Sequence, residues 1–190
     1  MDLEEFNKKV KGKEALIWDF DGTIVKLNLD WVKLKQELLE KLEKSEEFKK
    51  KQTSPSSLSD ILYELIRSGK KKEAFTIMNK HEKNSNYSVN HTITGCIKQN
   101  AKKYGMVIFS DNMKDTLIKI LKDLDMLHLF EIIVSKEDVE RFKPDTDGIK
   151  LICRRLKGKD KNKILLIGDS WKDEKVANDF KIDFFKIDPW

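Results

Sequence analysis

Short apolar segments alternate with amphipathic segments over much of this chain. Runs of four or five mostly apolar residues predict strands, and apolar residues that recur every three or four positions predict the helices between them. The predicted strands cover residues 15–18, 106–109, 131–134, 164–167 and 183–187, and the predicted helices cover 113–124, 146–156 and 170–180. Short apolar strands that alternate with helices favour a parallel sheet covered on both faces, so we predict an α/β fold.

A long, charged stretch of helical pattern interrupts this alternation after its first strand. Its first helix is predicted from apolar residues at mostly helical spacing: Trp31, Leu34, Leu38, Leu42 and Phe48. Residues 50–57 have the composition of a loop, after which Ser57 or Ser59 is the expected cap of a second helix. This second helix is predicted to end near Gly69.

The rest of the stretch is predicted to contain a third helix over residues 73–79 and a polar loop over 81–90. The chain therefore divides into two predicted domains. Residues 1–25 and 105–190 form the α/β core, and residues 26–104 form an inserted helical domain.

Composition excludes several classes of protein. The 190 residues suffice for a buried core, and no apolar run is long enough to predict a membrane helix. Residues 1–5 are acidic and lack the apolar segment of a secretory signal. Cys96 and Cys153 lie outside any CxxC or Cys/His cluster, which argues against a disulfide framework and a structural zinc site. We expect a cytoplasmic protein with no membrane partner.

The net charge of +5 raises the possibility of a nucleic-acid partner, but the distribution of charge argues against a specific one. Only four arginines are present, whereas reading of base edges favours the two-pronged guanidinium. The lysines alternate with acids, as in residues 40–44, which is typical of solvated helix faces. A lysine-rich surface of this kind would still attract anionic phosphates.

Polar residues follow four of the predicted strands. In strand order they are Asp19 and Asp21, Ser110 and Asp111, Lys143, and Asp169 and Asp173. In open parallel sheets, ligands bind beyond the carboxyl ends of the strands. We therefore expect these side chains to converge at one edge of the sheet.

Several carboxylates in one place repel each other, so such a group requires a cation. Mg²⁺ prefers oxygen ligands, and the absence of nearby histidine or cysteine argues against Zn²⁺. A lysine in the same place can hold a phosphate. An aspartate can act as a nucleophile through an aspartyl-phosphate, and a second acid can protonate the leaving alcohol and then activate water. The pattern thus indicates phosphoryl transfer.

Four motifs in this order resemble those of the haloacid dehalogenase-like superfamily of hydrolases, in its phosphoglycolate-phosphatase-like branch. They are Asp19-Phe20-Asp21-Gly22-Thr23, the strand that ends in Ser110, Lys143 in Lys143-Pro144-Asp145, and Gly168-Asp169-Ser170 followed by Asp173. The resemblance covers residues 15–24 and 105–190. It implies a Rossmann-like core, and the helical insertion stands where one subgroup carries a cap that closes over the substrate.

The resemblance also implies a role for each motif residue. Asp19 would be the nucleophile and Asp21 the general acid and base. Ser110, the backbone amide of Asp111, and Lys143 would bind the phosphoryl group. The metal ligands would be the carboxylates of Asp19 and Asp169 with the backbone carbonyl of Asp21, while Asp173 would orient Asp169 or Lys143. Dehalogenases of the superfamily lack the second acid, so Asp21 favours phosphate esters.

The chain departs from the family pattern beside two motifs. Lys26-Leu27 stands where many relatives have Asp-Ser, which affects the expected substrate but not the chemistry. Thr146 replaces a common proline after Lys143-Pro144-Asp145, with a small local effect expected.

Several of these residues also have purely structural interpretations. Ser110 is an equally good helix cap, and Asp145 is expected to cap the next helix. The two cysteines are expected to be packed thiols. Trp18 is expected in the core and Trp31 as an anchor of the first inserted helix. Trp171 borders the pocket or packs beneath it. His128 is expected to be structural, whereas His81 and His91 are candidates for substrate contact.

These features together predict a Mg²⁺-dependent phosphatase that hydrolyses a small phosphorylated metabolite through an aspartyl-phosphate. The alternatives are a phosphomutase of the same superfamily and a binding or regulatory module without turnover. The substrate and the oligomeric state, monomer or homodimer, have no signal in the sequence.

Overall fold

The computed structural model describes residues 2–44 and 57–190. The helices and strands follow in the order α1 (Leu3–Val10), β1 (Ala15–Trp18), β2 (Val25–Leu27), α2 (Trp31–Glu43), α3 (Leu58–Arg67), α4 (Lys71–Lys83), β3 (Tyr87–Val89), α5 (His91–Asn100), β4 (Gly105–Phe109), α6 (Lys114–Asp123), β5 (Ile132–Val134), α7 (Asp147–Arg155), β6 (Ile164–Gly168), α8 (Trp171–Phe180) and β7 (Asp183–Lys186). Short 3₁₀ turns lie at Leu127–Leu129, Lys136–Asp138 and Lys161–Lys163.

Five parallel strands form the main sheet, in the order β5-β4-β1-β6-β7. This sheet confirms the predicted α/β fold. β1 lies at its centre because every one of its residues is apolar and buried, as a strand covered on both faces requires. Trp18 is in register with Ile108 of β4 and Ile167 of β6, so the three central strands end level. The residues after them reach the same edge of the sheet.

Aromatic packing closes the core beneath this edge. Trp18 is fully buried, as predicted, and its ring centroid lies 5.8 Å from that of Phe6. Phe6 also meets Phe185 edge to face at 5.4 Å. Phe6 comes from α1, a helix that begins at Asp2, whose carboxylate accepts hydrogen bonds from the first turn. The sequence analysis did not predict α1 because only Phe6 and Val10 on it are buried.

Residues Asn28–Asn86 form one compact unit, and Met1–Leu27 with Tyr87–Trp190 form the other. In the first of these, which we call the helical unit, α2, α3 and α4 pack against one another. Its core contains Leu34, Leu38, Leu42, Ile61, Leu62, Leu65, Ala74 and Met78. The helical unit is shorter than the predicted insertion 26–104, because α5 groups with the sheet-bearing unit.

Details of the helical unit differ from the sequence-based expectation. Trp31 is 50% exposed, so it does not anchor α2. A side chain at the first helical position points back beyond the end of the helix, away from the packed face. Of the two expected caps of α3, Ser57 is the one used, and it forms a reciprocal capping box with Asp60. Phe48 and residues 50–56 of the predicted loop lie outside the described residues.

The segment predicted as a loop over 81–90 also has more structure than expected. α4 continues to Lys83, and its last turn is rich in basic side chains, which favour the negative end of a helix dipole. β3 then pairs antiparallel with β2. Three-residue strands are too short to show an alternating pattern in the sequence.

Within the described ranges, no helix combines the length and the apolar character needed to cross a bilayer.

Candidate active site

The loop after β1 carries Asp19 and Asp21 at the edge of the sheet. Asp19 continues the strand, since its N–H donates to the Ile167 carbonyl at 2.8 Å, and its side chain is buried. The chain then turns at Gly22, which has a φ of +88°, a region that only glycine adopts readily. Asp21 precedes this turn, and its Oδ1 accepts a hydrogen bond of 2.8 Å from the Leu27 amide.

Lys143 lies at the centre of the site and is only 5% exposed. Its Nζ donates to Asp19 Oδ1 at 2.7 Å, to Asp173 Oδ1 at 2.6 Å and to the Phe109 carbonyl at 3.2 Å. These three acceptors use the three donors of an ammonium. Lys143 precedes a cis proline, and its backbone N–H donates to Asp111 Oδ1 at 3.2 Å. Asp111 therefore contributes a carboxylate that holds the loop of Lys143.

Asp169 follows β6 and faces the turn at Gly22. Thr23 donates from its hydroxyl to Asp169 Oδ1 at 3.0 Å. A Cβ atom on Gly22 would overlap the Asp169 carboxylate, so this close approach also requires glycine. The first and fourth motifs are thus held together by a hydrogen bond and a direct contact.

Asp173 lies in the first turn of α8 and is fully buried. Its Oδ2 accepts a hydrogen bond from the Ser170 hydroxyl and its Oδ1 accepts one from Lys143. The carboxylate therefore connects the start of α8 to the lysine. Gly168 leaves room for it, since a Cβ atom there would lie 2.7 Å from Asp173 Cγ.

Ser110 follows β4 and is buried with Asn112. The Ser110 hydroxyl donates to Asn112 Oδ1 at 2.7 Å and accepts from the Asn112 amide at 3.2 Å. It does not cap a helix, because α6 begins only at Lys114 and Met113 at its N-cap has no capping side chain. Asn112 was not among the residues predicted for the site. Its position three residues after the end of β4 was the available signal for a role in this site.

Other residues singled out in the sequence lie elsewhere. Asp145 does not cap α7; it pairs with Arg141 at 3.1 Å, and Thr146 holds the N-cap position. His81 belongs to the helical unit, where its Nε2 lies 2.8 Å from Glu37 Oε2. Trp171 is 62% exposed, so it does not pack beneath the site.

The remaining predicted structural residues give a mixed outcome. Cys96 is buried, which raises the pKa of its thiol to about 11, as expected of a packed thiol. Cys153 is only partly buried, and its pKa is also raised by burial. His128 lies in the middle of the 3₁₀ turn Leu127–Leu129, is largely exposed, and places its Nδ1 3.7 Å from Asp125 Oδ1.

The site carries an excess of negative charge. Burial raises the pKa of Asp19, Asp173 raises it further, and Lys143 offsets only part of the effect. Burial also raises the pKa of Asp21 and that of Asp169. Burial alone would lower the pKa of Lys143, but Asp173 and Asp19 outweigh it, so the pKa is raised and the lysine stays an ammonium. One ammonium thus lies among the carboxylates of the site and pairs directly with two of them, those of Asp19 and Asp173.

The residues present fit a hard divalent cation. In the described part of the chain, Asp19, Asp169 and Asp173 each offer an oxygen, and these oxygens lie within 4.8 Å of one another. The donors are carboxylates without histidine or cysteine, which suits Mg²⁺ rather than Zn²⁺. A cation would also offset the burial and the repulsion from Asp173 that raise the pKa of Asp19 and Asp169.

A parallel α/β sheet with carboxylates, a hydroxyl and a lysine at the ends of its strands defines the class of this protein. Its sequence matches the model of the haloacid dehalogenase-like hydrolase family over residues 16–187. The chain belongs to this family, which confirms the resemblance seen in the four motifs. No curated protein matches the sequence.

Solved structures of the same superfamily share the fold. A haloacid dehalogenase-like hydrolase from Bacteroides fragilis is 22% identical, with a TM-score of 0.65 over 92% of this chain and 87% of that one. A protein from Lactobacillus plantarum provisionally named a phosphoglycolate phosphatase is 20% identical, with a TM-score of 0.64 over 90% and 84%. A magnesium-bound hydrolase of the superfamily from Bacillus subtilis is 16% identical, with a TM-score of 0.57 over 92% and 86%.

Proposed function

We propose that the protein is a Mg²⁺-dependent phosphatase that hydrolyses a small phosphorylated metabolite through a phosphoryl group carried on Asp19. The observation that carries this proposal is the position of Asp19. Its carboxylate lies 2.7 Å from a buried ammonium and within reach of Asp169, while a second acid, Asp21, follows on the adjacent turn.

Asp19 and Asp169, with the Asp21 backbone carbonyl, are the residues that would hold Mg²⁺. The ion would neutralise charge on the phosphoryl oxygens and on the two carboxylates. Asp173 lies in the same acidic group, but its two oxygens already accept hydrogen bonds from Lys143 and Ser170. Its role in this proposal is to hold Lys143.

In the first half-reaction, a carboxylate oxygen of Asp19 attacks phosphorus, and the ester P–O bond breaks. Asp21 gives its proton to the departing alcohol oxygen, and the raised pKa of Asp21 keeps a larger fraction of this acid protonated. The Ser110 hydroxyl and the Asp111 amide hold the phosphoryl oxygens, and the Lys143 ammonium, bonded to Asp19 and Asp173, stabilises the charge that develops on them.

In the second half-reaction, ionised Asp21 takes a proton from water, whose oxygen attacks phosphorus. The bond between phosphorus and Asp19 breaks, inorganic phosphate leaves, and both carboxyl groups return to their starting states. The cytoplasmic location, and a role of the helical unit as a cap that excludes water, stay predictions.

The first experiment measures release of inorganic phosphate from an aryl phosphate and from a panel of phosphorylated metabolites in MgCl₂. Asp19→Asn should lower the rate by at least about a thousandfold, the order seen when a nucleophile is removed. Asp179→Asn is the matched control, because Asp179 lies on the exposed face of α8 and forms a surface ion pair with Lys175. Its rate should stay within about twofold of wild type.

Acid-quenched wild-type enzyme should yield a phosphorylated peptide that contains Asp19, and Asp19→Asn should not. Wild-type activity in Asp19→Asn would overturn the assignment of the nucleophile. Phosphate release without a bisphosphate activator favours a phosphatase over a phosphomutase. Absence of turnover across the whole panel would instead favour a binding or regulatory module.

A further inference from the structure

Trp190 contacts the catalytic loop from far along the sequence. Its indole Nε1 donates a hydrogen bond of 2.8 Å to the carbonyl of Gly22, 168 residues away. Because β7 is parallel to β6, the segment after it leaves the sheet at this same edge, where the Ile187 amide donates to the Gly168 carbonyl at 2.8 Å. The side chain of Trp190 is 39% exposed, so this contact lies at the surface of the site.

Gly22 is the residue through which the two acidic motifs meet. Its amide donates to the Val25 carbonyl at 2.7 Å, and the Asp169 carboxylate occupies the space that a Cβ atom on Gly22 would need. The peptide that carries the Gly22 carbonyl continues into Thr23, whose hydroxyl holds Asp169. A change in the orientation of this peptide would therefore move Asp21 on one side and Thr23 on the other.

We propose that Trp190 is a positioning residue of the phosphatase site: its indole N–H holds the Gly22 carbonyl and thereby fixes the turn that directs Asp21 and supports Asp169. This inference rests on the proposed function. Within the part of the chain that the structure describes, Trp190 donates its hydrogen bond to Gly22 and not to a proposed phosphate-binding group. It acts on the reaction only through the backbone of Gly22.

The proposal predicts a specific kinetic pattern. Binding of the phosphoryl group by Ser110 and Lys143 does not depend on the Gly22 carbonyl, so KM should change little. The position of the general acid matters only as the ester bond breaks, so the loss should fall on kcat. A single hydrogen bond has a net worth of about 0.5–1.5 kcal/mol, which corresponds to a decrease in kcat of about two- to thirteenfold.

Trp190→Phe is the test variant, because it removes the N–H and keeps an aromatic ring. Trp31→Phe is the matched control, since Trp31 is similarly exposed and lies in the helical unit. We expect Trp190→Phe to lower kcat for the aryl phosphate about two- to thirteenfold with KM within about twofold. Trp31→Phe should leave both constants within about twofold of wild type. Equal kcat values in wild type and Trp190→Phe would overturn the positioning role.

A spectroscopic measurement on the full chain reads the contact without turnover. In protein with ¹⁵N-labelled indoles, Trp190→Phe and Trp31→Phe each remove one Nε1–H signal and so assign it. The Trp190 signal should exchange with water more slowly than the Trp31 signal and should shift when Mg²⁺ and orthovanadate are added. A Trp190 signal that exchanges as fast as that of Trp31 and does not shift would overturn the proposal.

The two levels of inference fail differently. If the wild-type chain hydrolyses no phosphate ester, the proposed function falls, and the positioning role that rests on it falls too. If wild type and Trp190→Phe hydrolyse the aryl phosphate equally well, only the role of Trp190 falls.

Discussion

The sheet-bearing unit and the helical unit use charged side chains in opposite ways. In the sheet-bearing unit, Lys143 is buried between Asp19 and Asp173, and the pKa of Asp19 is raised. In the helical unit, Glu37 pairs at the surface with Lys80 and His81, and these two partners hold its pKa below the usual value. The surroundings of Asp19 disfavour its ionised form, whereas the partners of Glu37 favour the ionised form.

This difference indicates which charges exist for function. Burial of several carboxylates beside one lysine is unfavourable for folding, so such a cluster is expected only where chemistry requires it. Surface pairs such as Glu37 with Lys80 contribute little and follow from the composition of amphipathic helices. The two units therefore offer matched experiments, in which the same change is made to a buried and to an exposed charge.

The largest expected effect is that of removing the buried ammonium. Lys143→Met leaves Asp19 and Asp173 buried without their cation, and we expect it to lower the free energy of unfolding by about 3–5 kcal/mol. Lys80→Met removes an ammonium from an exposed pair and should cost at most about 1 kcal/mol. Urea unfolding of both variants at neutral pH without divalent cations measures the difference. Equal losses of unfolding free energy in the two variants would contradict the difference between buried and exposed charges.

The next effect compares two glycines with positive φ. Gly22 and Gly69 have φ of +88° and +72°, but only at Gly22 would a Cβ atom meet another group, the Asp169 carboxylate. Gly69→Ala should cost about 1–2 kcal/mol from backbone strain alone. Gly22→Ala should add about 1–3 kcal/mol from overpacking.

Activity separates the same two variants. Displacement of Asp169 should lower turnover of the aryl phosphate in Gly22→Ala by about a hundredfold. Gly69→Ala should keep its activity. If both variants lose activity equally, contact with Asp169 is not the reason that the turn requires glycine.

The pH dependence of stability should also differ between the units. A raised carboxyl pKa means that the folded state binds more protons than the unfolded state above the ordinary value of about 4. The contribution of Asp19, Asp21 and Asp169 to metal-free stability is thus greatest at acidic pH and is lost as pH rises through their raised pKa values. Glu37 has a lowered pKa, so its contribution is lost as pH falls through that value.

Thermal unfolding between pH 5 and 8 checks this sign, with and without Mg²⁺. The ion should raise Tm more at pH 8 than at pH 5, because it binds the ionised carboxylates; at about 100 times its Kd it adds about 2.7 kcal/mol. Asp169→Asn should reduce this increase. An equal increase in Tm at both pH values would contradict the assignment of the acidic group to a cation.

The smallest effect is expected for neutralisation of single carboxylates. Glu37→Gln removes a favourable surface charge and should lower the free energy of unfolding by at most about 1 kcal/mol, less at high salt. Asp19→Asn should raise the stability of the metal-free protein at neutral pH, because it relieves the burial of a charge. Urea unfolding gives both values. A loss of stability in Asp19→Asn would contradict the conclusion that the buried charge of Asp19 is unfavourable for folding.

The elements with the strongest local apolar pattern were predicted most accurately. β1 and β6 are continuous apolar runs, and the structure places them within one residue of the predicted bounds. α1 and β3 were not predicted from the sequence. α1 buries only Phe6 and Val10, and β3 buries none of its three residues, so neither shows a clear apolar pattern. The prediction that Trp31 anchors α2 was also wrong, because helical spacing alone does not show which residue of a helix is the last to pack against the core.

The site shows the same division. Motif order and strand ends sufficed to single out Asp19, Lys143 and Asp169. In the sequence, Lys143 is 124 residues from Asp19 and 30 residues from Asp173, and Trp190 is 168 residues from Gly22. No local pattern encodes such pairs.

The sequence by itself determined the α/β class, the family and the types of side chain at the strand ends, because periodicity and motif chemistry are local properties. Only the tertiary structure decided which carboxylates share the lysine, where Asp21 turns, and that Trp190 reaches Gly22. These relations depend on the register of β1, β4 and β6 and on the return of the chain after β7, which exist only once distant segments have packed.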